Sequence, residues 1–507
     1  MDPVRQALIA LLPSQHDANV IFESSNGWMI LGAIYRPSRD LFIGRDPDTY
    51  ALDVSAIAQE RTIIIARTLL HLAVLISTLP PGFQPARLNN MWNIDAAMEN
   101  YVTTVTSLVT STDEPLLTLP GLETLLLLAT YQIYTANLRQ AWLIVRRAVN
   151  LAHLMGFHRI VAYSQPVPSV DAIENAACMW RSLVDFDRSL GLHLRLPFTT
   201  DDYPVLEDGP TYLVHRARLS KLCRQISELD QEVTPQTYVQ ALALDEKVES
   251  VMRGQPKDFW EVPNVPPTAR TLESSAVLER LMVQVWHFEL KIFIHLPFLL
   301  RASTESRYEY SKVTALQASR NIVMRWFALR NAGITQACCR CGELGVFIAA
   351  VTLSLDILIE MSTKDKNEVK KSKGSDFTIL CRIISEMEKL GNASPREKIA
   401  ARSAVVLKKL LGSLDPNRRE TGKSRLTIPY FGTIEMEFKK LPLRPAFDLD
   451  SDTAKKLGSI TTGQHLPVFS FVSNALWPGT DGAGELDFDI ILFDGLQDMD
   501  VEGNWVF

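Results

Sequence analysis

Cysteine is scarce in this chain, six residues in 507, and that scarcity excludes the disulfide framework that holds small secreted domains together. Glycine-rich loops are missing too: there is neither a phosphate-cradling loop nor a dinucleotide fingerprint, so nucleotide chemistry has no support. No Gly-x-Ser-x-Gly elbow occurs, and the nine histidines never form the helical pair that a catalytic zinc requires. The chain is not expected to be an enzyme or to hold a cofactor. Positive charge is in deficit, with 52 Lys and Arg against 58 Asp and Glu and a net charge of −6, which provides no overall field toward a phosphate backbone. Specific DNA binding by this chain alone is therefore not expected. Long hydrophobic runs are few. The longest, Val346 to Ile359, is shorter than a bilayer span and contains Asp356, while the amino terminus has an acid at Asp2 and only a short apolar run. These features predict a soluble intracellular protein with no membrane segment.

What is present is helical periodicity. Hydrophobic residues make up 47% of the chain, enough for one very large or two ordinary cores. They recur at three- and four-residue steps in Ala56–Ser77, Ile94–Val109, Leu122–Thr135, Ile173–Leu190, Leu213–Leu229, Gln236–Met252, Leu272–Leu290, Val313–Ala328 and Leu344–Glu360. Breaks such as Thr78-Leu-Pro-Pro-Gly carry the usual stop residues, strand alternation is scarce, and no fixed repeat length emerges. The predicted fold is all-α, an irregular multi-helix bundle or solenoid-like domain.

The segment from Leu138 to Arg159 is the most distinctive. Ala141, Val145, Ala148, Val149, Ala152 and Met155 share one face, whereas Arg146, Arg147, Asn150 and His153 take the others. Gly156 stands where a left-handed helix cap is needed, with Phe157 placed to fold back on the last turn. His153 and His158 flank that cap and read as structural. Downstream, Trp180, Leu183 and Val184 form an apolar face followed by Asp187 and Arg188. An acid on such a face calls for a basic partner, and Arg146, Arg147 and Arg159 are the candidates.

Three segments depart from the helical pattern. Residues 363–376 are polar and lysine-rich and are expected to form a flexible loop, a solvated linker rather than a nuclear import signal. A second polar break begins at Leu414. From Gly484 onward, acids alternate with Phe488, Ile491, Phe493 and Leu496, as in an acidic activation segment that offers sticky side chains to a coactivator groove. The same tail could instead pack back on the helices. The expected organisation is a helical domain over 1–362, the loop 363–376, further helices over 377–413, a loop-rich stretch 414–480 and the acidic-hydrophobic tail 481–507. The six thiols, including the trio Cys338, Cys339 and Cys341, read as structural, since no second pair or histidine lies near enough to complete a metal site.

Taken in order, these motifs resemble the fungal-specific transcription factor domain, the regulatory region of Zn2Cys6 binuclear-cluster regulators. Leu12-Pro-Ser-Gln-His-Asp-Ala is similar to its opening. Gly121-Leu-Glu-Thr-Leu-Leu-Leu, Asn137-Leu-Arg-Gln-Ala-Trp, Arg146-Arg-Ala and Leu154-Met-Gly-Phe-His-Arg resemble its central helices, and Trp180 through Pro197 its following block, with Arg195 where glycine is common. His295-Leu-Pro-Phe-Leu-Leu-Arg and Ile428-Pro-Tyr-Phe-Gly extend the likeness. The structural signature so defined is Trp142, Arg146, Arg147, Gly156, His158, Arg159, Trp180, Asp187, Arg188 and Pro197. The resemblance implies a nuclear, pathway-specific regulator working through protein partners: a coactivator, a DNA-binding regulator or a second copy of itself. No six-cysteine zinc cluster occurs in the sequence, so zinc would enter only through a missing amino-terminal cluster, and the chain is expected to be either a truncated form or a co-regulator. A small-molecule effector is compatible with the resemblance, though no residue identifies its site. The competing expectation is a helical scaffold or sensor with no direct transcriptional role.

Overall fold

Side-chain caps set the limits of many helices. Ser14 accepts from Asp17 N (3.1 Å), Asn93 from Ala96 N (3.0 Å) and Thr118 from Gly121 N (3.1 Å), while Thr234 and Thr237 form a reciprocal capping box. The computed structural model describes residues 2–25, 42–43, 51–80, 82–162, 171–194, 196–203, 211–229, 233–265, 272–332, 340–363 and 366–412, together with strands at 423–428, 432–439 and 466–472. Among these residues the helices are α1 Pro3–Ile9, α2 Gln15–Ser24, α3 Val54–Gln59, α4 Thr62–Ser77, α5 Ile94–Leu108, α6 Leu119–Tyr134, α7 Leu138–Leu154 and α8 Phe157–Ala162. They continue with α9 Asp171–Leu194, α10 Thr211–Ser227, α11 Pro235–Arg253, α12 Leu272–Leu299, α13 Glu309–Asn331, α14 Arg340–Thr363, α15 Lys366–Ala393 and α16 Lys398–Gly412. The all-α expectation holds for the body of the chain, and one continuous apolar core runs from Leu8 to Leu410.

Four local expectations change. The single helix read over Ala56–Ser77 breaks at Glu60, whose backbone is extended (ψ 171°). Arg5 stabilises the break by donating to the carbonyls of Ala58 (2.7 Å) and Glu60 (3.1 Å). The apolar run in α14 is longer than the sequence reading allowed: Gly342–Met361 is long and apolar enough to cross a membrane, yet 94% of that window is buried, as in a core helix. Most of the supposed loop 363–376 is the first part of α15. Lys373 there pairs with Asp356 (2.5 Å) and Glu360 (3.3 Å) of α14, beside Lys312 of α13, and Asp376 accepts from Arg320 Nε and Nη2 (2.9 and 2.8 Å). These charges face neighbouring helices instead of solvent, so polarity alone misread the segment.

The fourth change lies in the stretch read as loop-rich. It contains β3 (Lys423–Ile428), β4 (Gly432–Lys439) and β5 (Leu466–Val472) in an antiparallel sheet of order β3-β4-β5. Ile428 pairs with Gly432, and Thr433 with Val472. The alternation Ile434, Met436, Phe438 along β4 is the period-two signal, too short to stand out beside the helical pattern. A further two-residue pair joins β1 (Phe42–Ile43) to β2 (Ala51–Leu52). The tail 481–507, with Phe488, Ile491, Phe493 and Leu496, lies outside the described residues, as do Cys338 and Cys339.

Candidate functional site

Helices α6 and α7 form an antiparallel hairpin, and α7 buries Ala141, Val145, Ala148, Val149 and Ala152 on one side. Its end is a left-handed turn: Gly156 has φ +78°, with its N–H on His153 O (3.0 Å). An added Cβ there would meet no atom within 4 Å, so conformation alone restricts the position to glycine. The chain resumes at once as α8, with Phe157 buried. The cap is thus a kink between two helices. Beside it His153 meets Trp180 and His158 edge to face, the ring centroids 4.9 Å apart for His153–Trp180 and 5.0 Å for His153–His158. Burial, reinforced by His158, lowers the His153 pKa.

The two signature arginines have different tasks. Arg146 lies over the Trp142 ring (4.6 Å), donates to the Pro197 carbonyl (2.6 Å) and faces Asp187 across 3.6 Å. Of the three arginines suggested for Asp187, it is Arg146 that the fold brings there. Arg147 turns the other way, binding Asp113 (2.6 Å) and the Thr110 carbonyl (2.5 Å). Arg159 is exposed. Asp187 is fully buried, and its second oxygen accepts from Thr199 N and Thr200 Oγ1, both at 3.1 Å. A carboxylate so placed fastens the 196–200 segment against α9 and α7. Gly191 permits the close return of that segment, because an added Cβ would lie 2.5 Å from the Phe198 ring. Arg195 lies outside the described residues.

Arg188 continues the network downstream. At 1% exposure it donates to the Ser220 carbonyl (2.9 Å) and Asp202 (2.6 Å). Asp185 on the same helix holds Arg216 (2.9 Å) and the Tyr203 hydroxyl (2.9 Å). The Trp180–Pro197 block is therefore a clamp in which α9 pins α7, α10 and the intervening segment 196–203. Arg146 and Arg188 in it are occupied by internal partners. Sequence reasoning missed a companion pair, Arg67 on α4 bonded to Glu123 on α6, both buried; desolvation raises the Glu123 pKa despite the guanidinium.

The second half of the chain holds other buried polar groups. His295 contacts Ser311 Oγ through Nδ1 (2.9 Å) and lies 3.3 Å from Asp245 through Nε2. Tyr310 donates to the other Asp245 oxygen (2.6 Å), and Lys291 is 3.2 Å from Asp245. Burial opposes ionisation of Asp245, but His295, Tyr310 and Lys291 outweigh it and hold the carboxyl well below its usual range. A hydroxyl, imidazole and carboxylate in this order resemble a nucleophilic relay. Ser311 and His295 have 0% exposure, however, so no substrate reaches the hydroxyl, and the relay joins α11, α12 and α13. Among the described residues no group of three or more His, Cys, Asp or Glu could hold a metal ion. His215 on α10 and His287 on α12 lie in the same half under the aromatic pair Phe259 and Trp260, and their separation along the chain left them without a sequence signal.

A buried helical clamp of this kind, with apolar helices as its main mass, defines the chain as a helical domain organised around internal polar fastenings. In comparison with known proteins, residues 70–205, from the second half of α4 through the clamp, match the fungal specific transcription factor domain. Transcription factor sdnS of Sordaria araneosa is 28% identical over 85% of this chain and 58% of its own length. The dehydrocurvularin biosynthesis regulator of Aspergillus terreus is 27% identical over 85% of this chain and 64% of its own. The probable transcription factor gsfR1 of Penicillium aethiopicum is 27% identical over 91% and 69%. The chain thus spans less than two thirds of the length of the first two relatives. No solved structure matches.

Proposed function

We propose that this chain is the regulatory region of a fungal transcription regulator that controls a secondary-metabolite gene cluster. The observation carrying this reading is that the matched domain covers the α7–α9 clamp and that relatives along most of the chain are named transcription factors or biosynthesis regulators. The clamp's role is structural: it keeps the helices in one arrangement that a partner can recognise. DNA contact would come from a segment or partner outside these residues, because the net charge is −6 and Arg146, Arg147 and Arg188 have internal partners. Any zinc would belong to that other segment.

The protein works in the nucleus through a coactivator, a DNA-binding regulator or a second copy, and the tail around Phe488, Ile491, Phe493 and Leu496 serves as its activation segment. Nothing in this reading calls for catalysis. Transcript profiling of a deletion strain tests it: coordinated loss of one group of biosynthetic transcripts, restored by the gene, is the expected result, and an unchanged transcriptome overturns it. For the tail, joint substitution of Phe488, Phe493 and Leu496 by alanine should abolish reporter activation with unchanged thermal stability. A large drop in stability would show instead that the tail packs on the helices.

A further inference from the structure

Among the described residues, two buried imidazoles have no hydrogen-bond partner on either ring nitrogen. His215 and His287 are both at 0% exposure, with ring centroids 6.1 Å apart. A neutral imidazole presents one N–H and one lone pair, so a donor and an acceptor on each ring find no protein partner in a buried setting, where such groups are normally satisfied. Trp260 lies 4.6 Å from His287 and 5.3 Å from His215, and Phe259 is 5.7 Å from His215. Both aromatics belong to the single turn Lys257–Trp260 between α11 and α12. Lys257, Asp258 and Glu261 on that turn are exposed, while Phe259 and Trp260 are half-buried.

The turn is held down by cations that lack anions. Arg280 donates to the carbonyls of Phe259 (2.8 Å) and Glu261 (3.0 Å), and Arg325 to that of Trp260 (2.6 Å). Arg325 is 1% exposed, its other partners are Gln284 and Asn321, and among the described residues neither arginine forms an ion pair. A buried guanidinium is ordinarily matched by a carboxylate, often bidentately. Open imidazole groups, aromatic faces and unmatched guanidinium charge therefore converge under one removable turn. A metal cation does not suit this place, since Arg218, Lys291 and Arg325 all bear on the two rings.

We propose that His215, His287, Phe259, Trp260, Arg280 and Arg325 form a binding site for a small aromatic carboxylate, which the 257–261 turn covers in its absence. The ligand carboxylate would replace backbone carbonyls as partner of the two guanidinium groups. Its ring would stack on Trp260, and an imidazole N–H would donate to a carboxylate or ring oxygen. The site lies outside the matched domain, and binding to purified protein is independent of any transcriptional role.

The test is titration of the purified full chain with salicylate, following tryptophan fluorescence and melting temperature. Saturable quenching and a rise in melting temperature are expected, with phenol and cyclohexanecarboxylate at least about tenfold weaker because each lacks one of the two recognised features. Arg280→Gln and His287→Phe should each weaken salicylate about tenfold or more, whereas Arg147→Gln, at the distant Asp113 contact, should leave it unchanged. If His287→Phe does not fold, Arg280→Gln decides, since Arg280 contacts only the outer turn. Absence of saturable salicylate binding to the unaltered protein at millimolar concentration overturns the proposal. So does binding that persists undiminished in Arg280→Gln.

Discussion

Two buried polar regions of the protein, one around Asp187 and one around His287, are met by different partners. Around Asp187, one carboxylate oxygen has two hydrogen bonds, Arg146 faces the other, and Arg188 is matched by Asp202. Around His287, four ring nitrogens have no hydrogen bond, and the guanidinium groups of Arg280 and Arg325 bond to carbonyl and amide oxygens instead of a carboxylate. Charges matched to charges fix helices relative to one another, even though Asp187 Oδ1, Arg146 Nη1 and Arg188 Nε make no hydrogen bond; imidazoles open on both nitrogens leave hydrogen bonding that a ligand can satisfy. The contrast separates a region built to hold a shape from one able to respond.

The sharpest way to break this contrast is Asp187→Ala. It leaves Thr199 N and Thr200 Oγ1 without their acceptor and Arg146 without its facing charge, and a loss of about 3–5 kcal/mol is expected in urea unfolding; a loss under about 1 kcal/mol would mean that the clamp does not hold the fold. Glu289 gives a pH-based comparison. Its carboxyl is fully buried on α12, 3.9 Å from His193, and burial raises its pKa from 4.5 to about 8. The folded state then holds a proton that the unfolded chain releases, so stability is greatest below pH 4.5 as far as this group is concerned and declines as pH rises through about 8. Glu289→Gln should flatten that decline, a difference on the order of a few kcal/mol across the window. An unaltered pH profile would argue that the carboxyl finds water. His215, lowered to about 4 by burial and Arg218, acts in the opposite sense, costing stability as pH falls from 6.5 through about 4.

Smaller effects compare the two ends of α7. Gly156→Val should lose roughly 1–2 kcal/mol through its left-handed backbone, measured by thermal melting. Ala136, between α6 and α7, has φ +65° with Asn137 N on Gln132 O (2.8 Å), the arrangement glycine favours. Ala136→Gly is therefore expected to stabilise by about 1 kcal/mol, and no gain would show that the alanine methyl contributes packing of similar size. Smallest of all, His287→Phe removes unsatisfied polar atoms, so its stability should lie within about 1 kcal/mol of the parent or above it. A large loss there would place His287 with Asp187, as a fastening, and erase the distinction between the two regions.

Much of the helical body was legible because amphipathic spacing is a local property. Gly156 was legible for the same reason: a cap is decided by a few adjacent residues. The first part of α15 was not, since Lys373 and Asp376 read as solvated until Asp356, Glu360 and Arg320 stand opposite them. The β3-β4-β5 sheet was missed because β4 takes its partner from residues 466–472, far along the chain. For Asp187 the sequence offered three arginines at comparable separations, and only the crossing of α7 and α9 selects Arg146.

By itself, then, the sequence determined a helical protein with a glycine-kinked α7, an acidic balance and the ordered motifs of its domain, all of which depend on near neighbours or on composition. The tertiary structure decided which charges are matched and which are not. Pairing across helices depends on three-dimensional placement that periodicity does not encode, and so the charge-matched network at Asp187 and the unpartnered imidazoles of His215 and His287 emerge only when α7, α9, α10 and α12 are packed together.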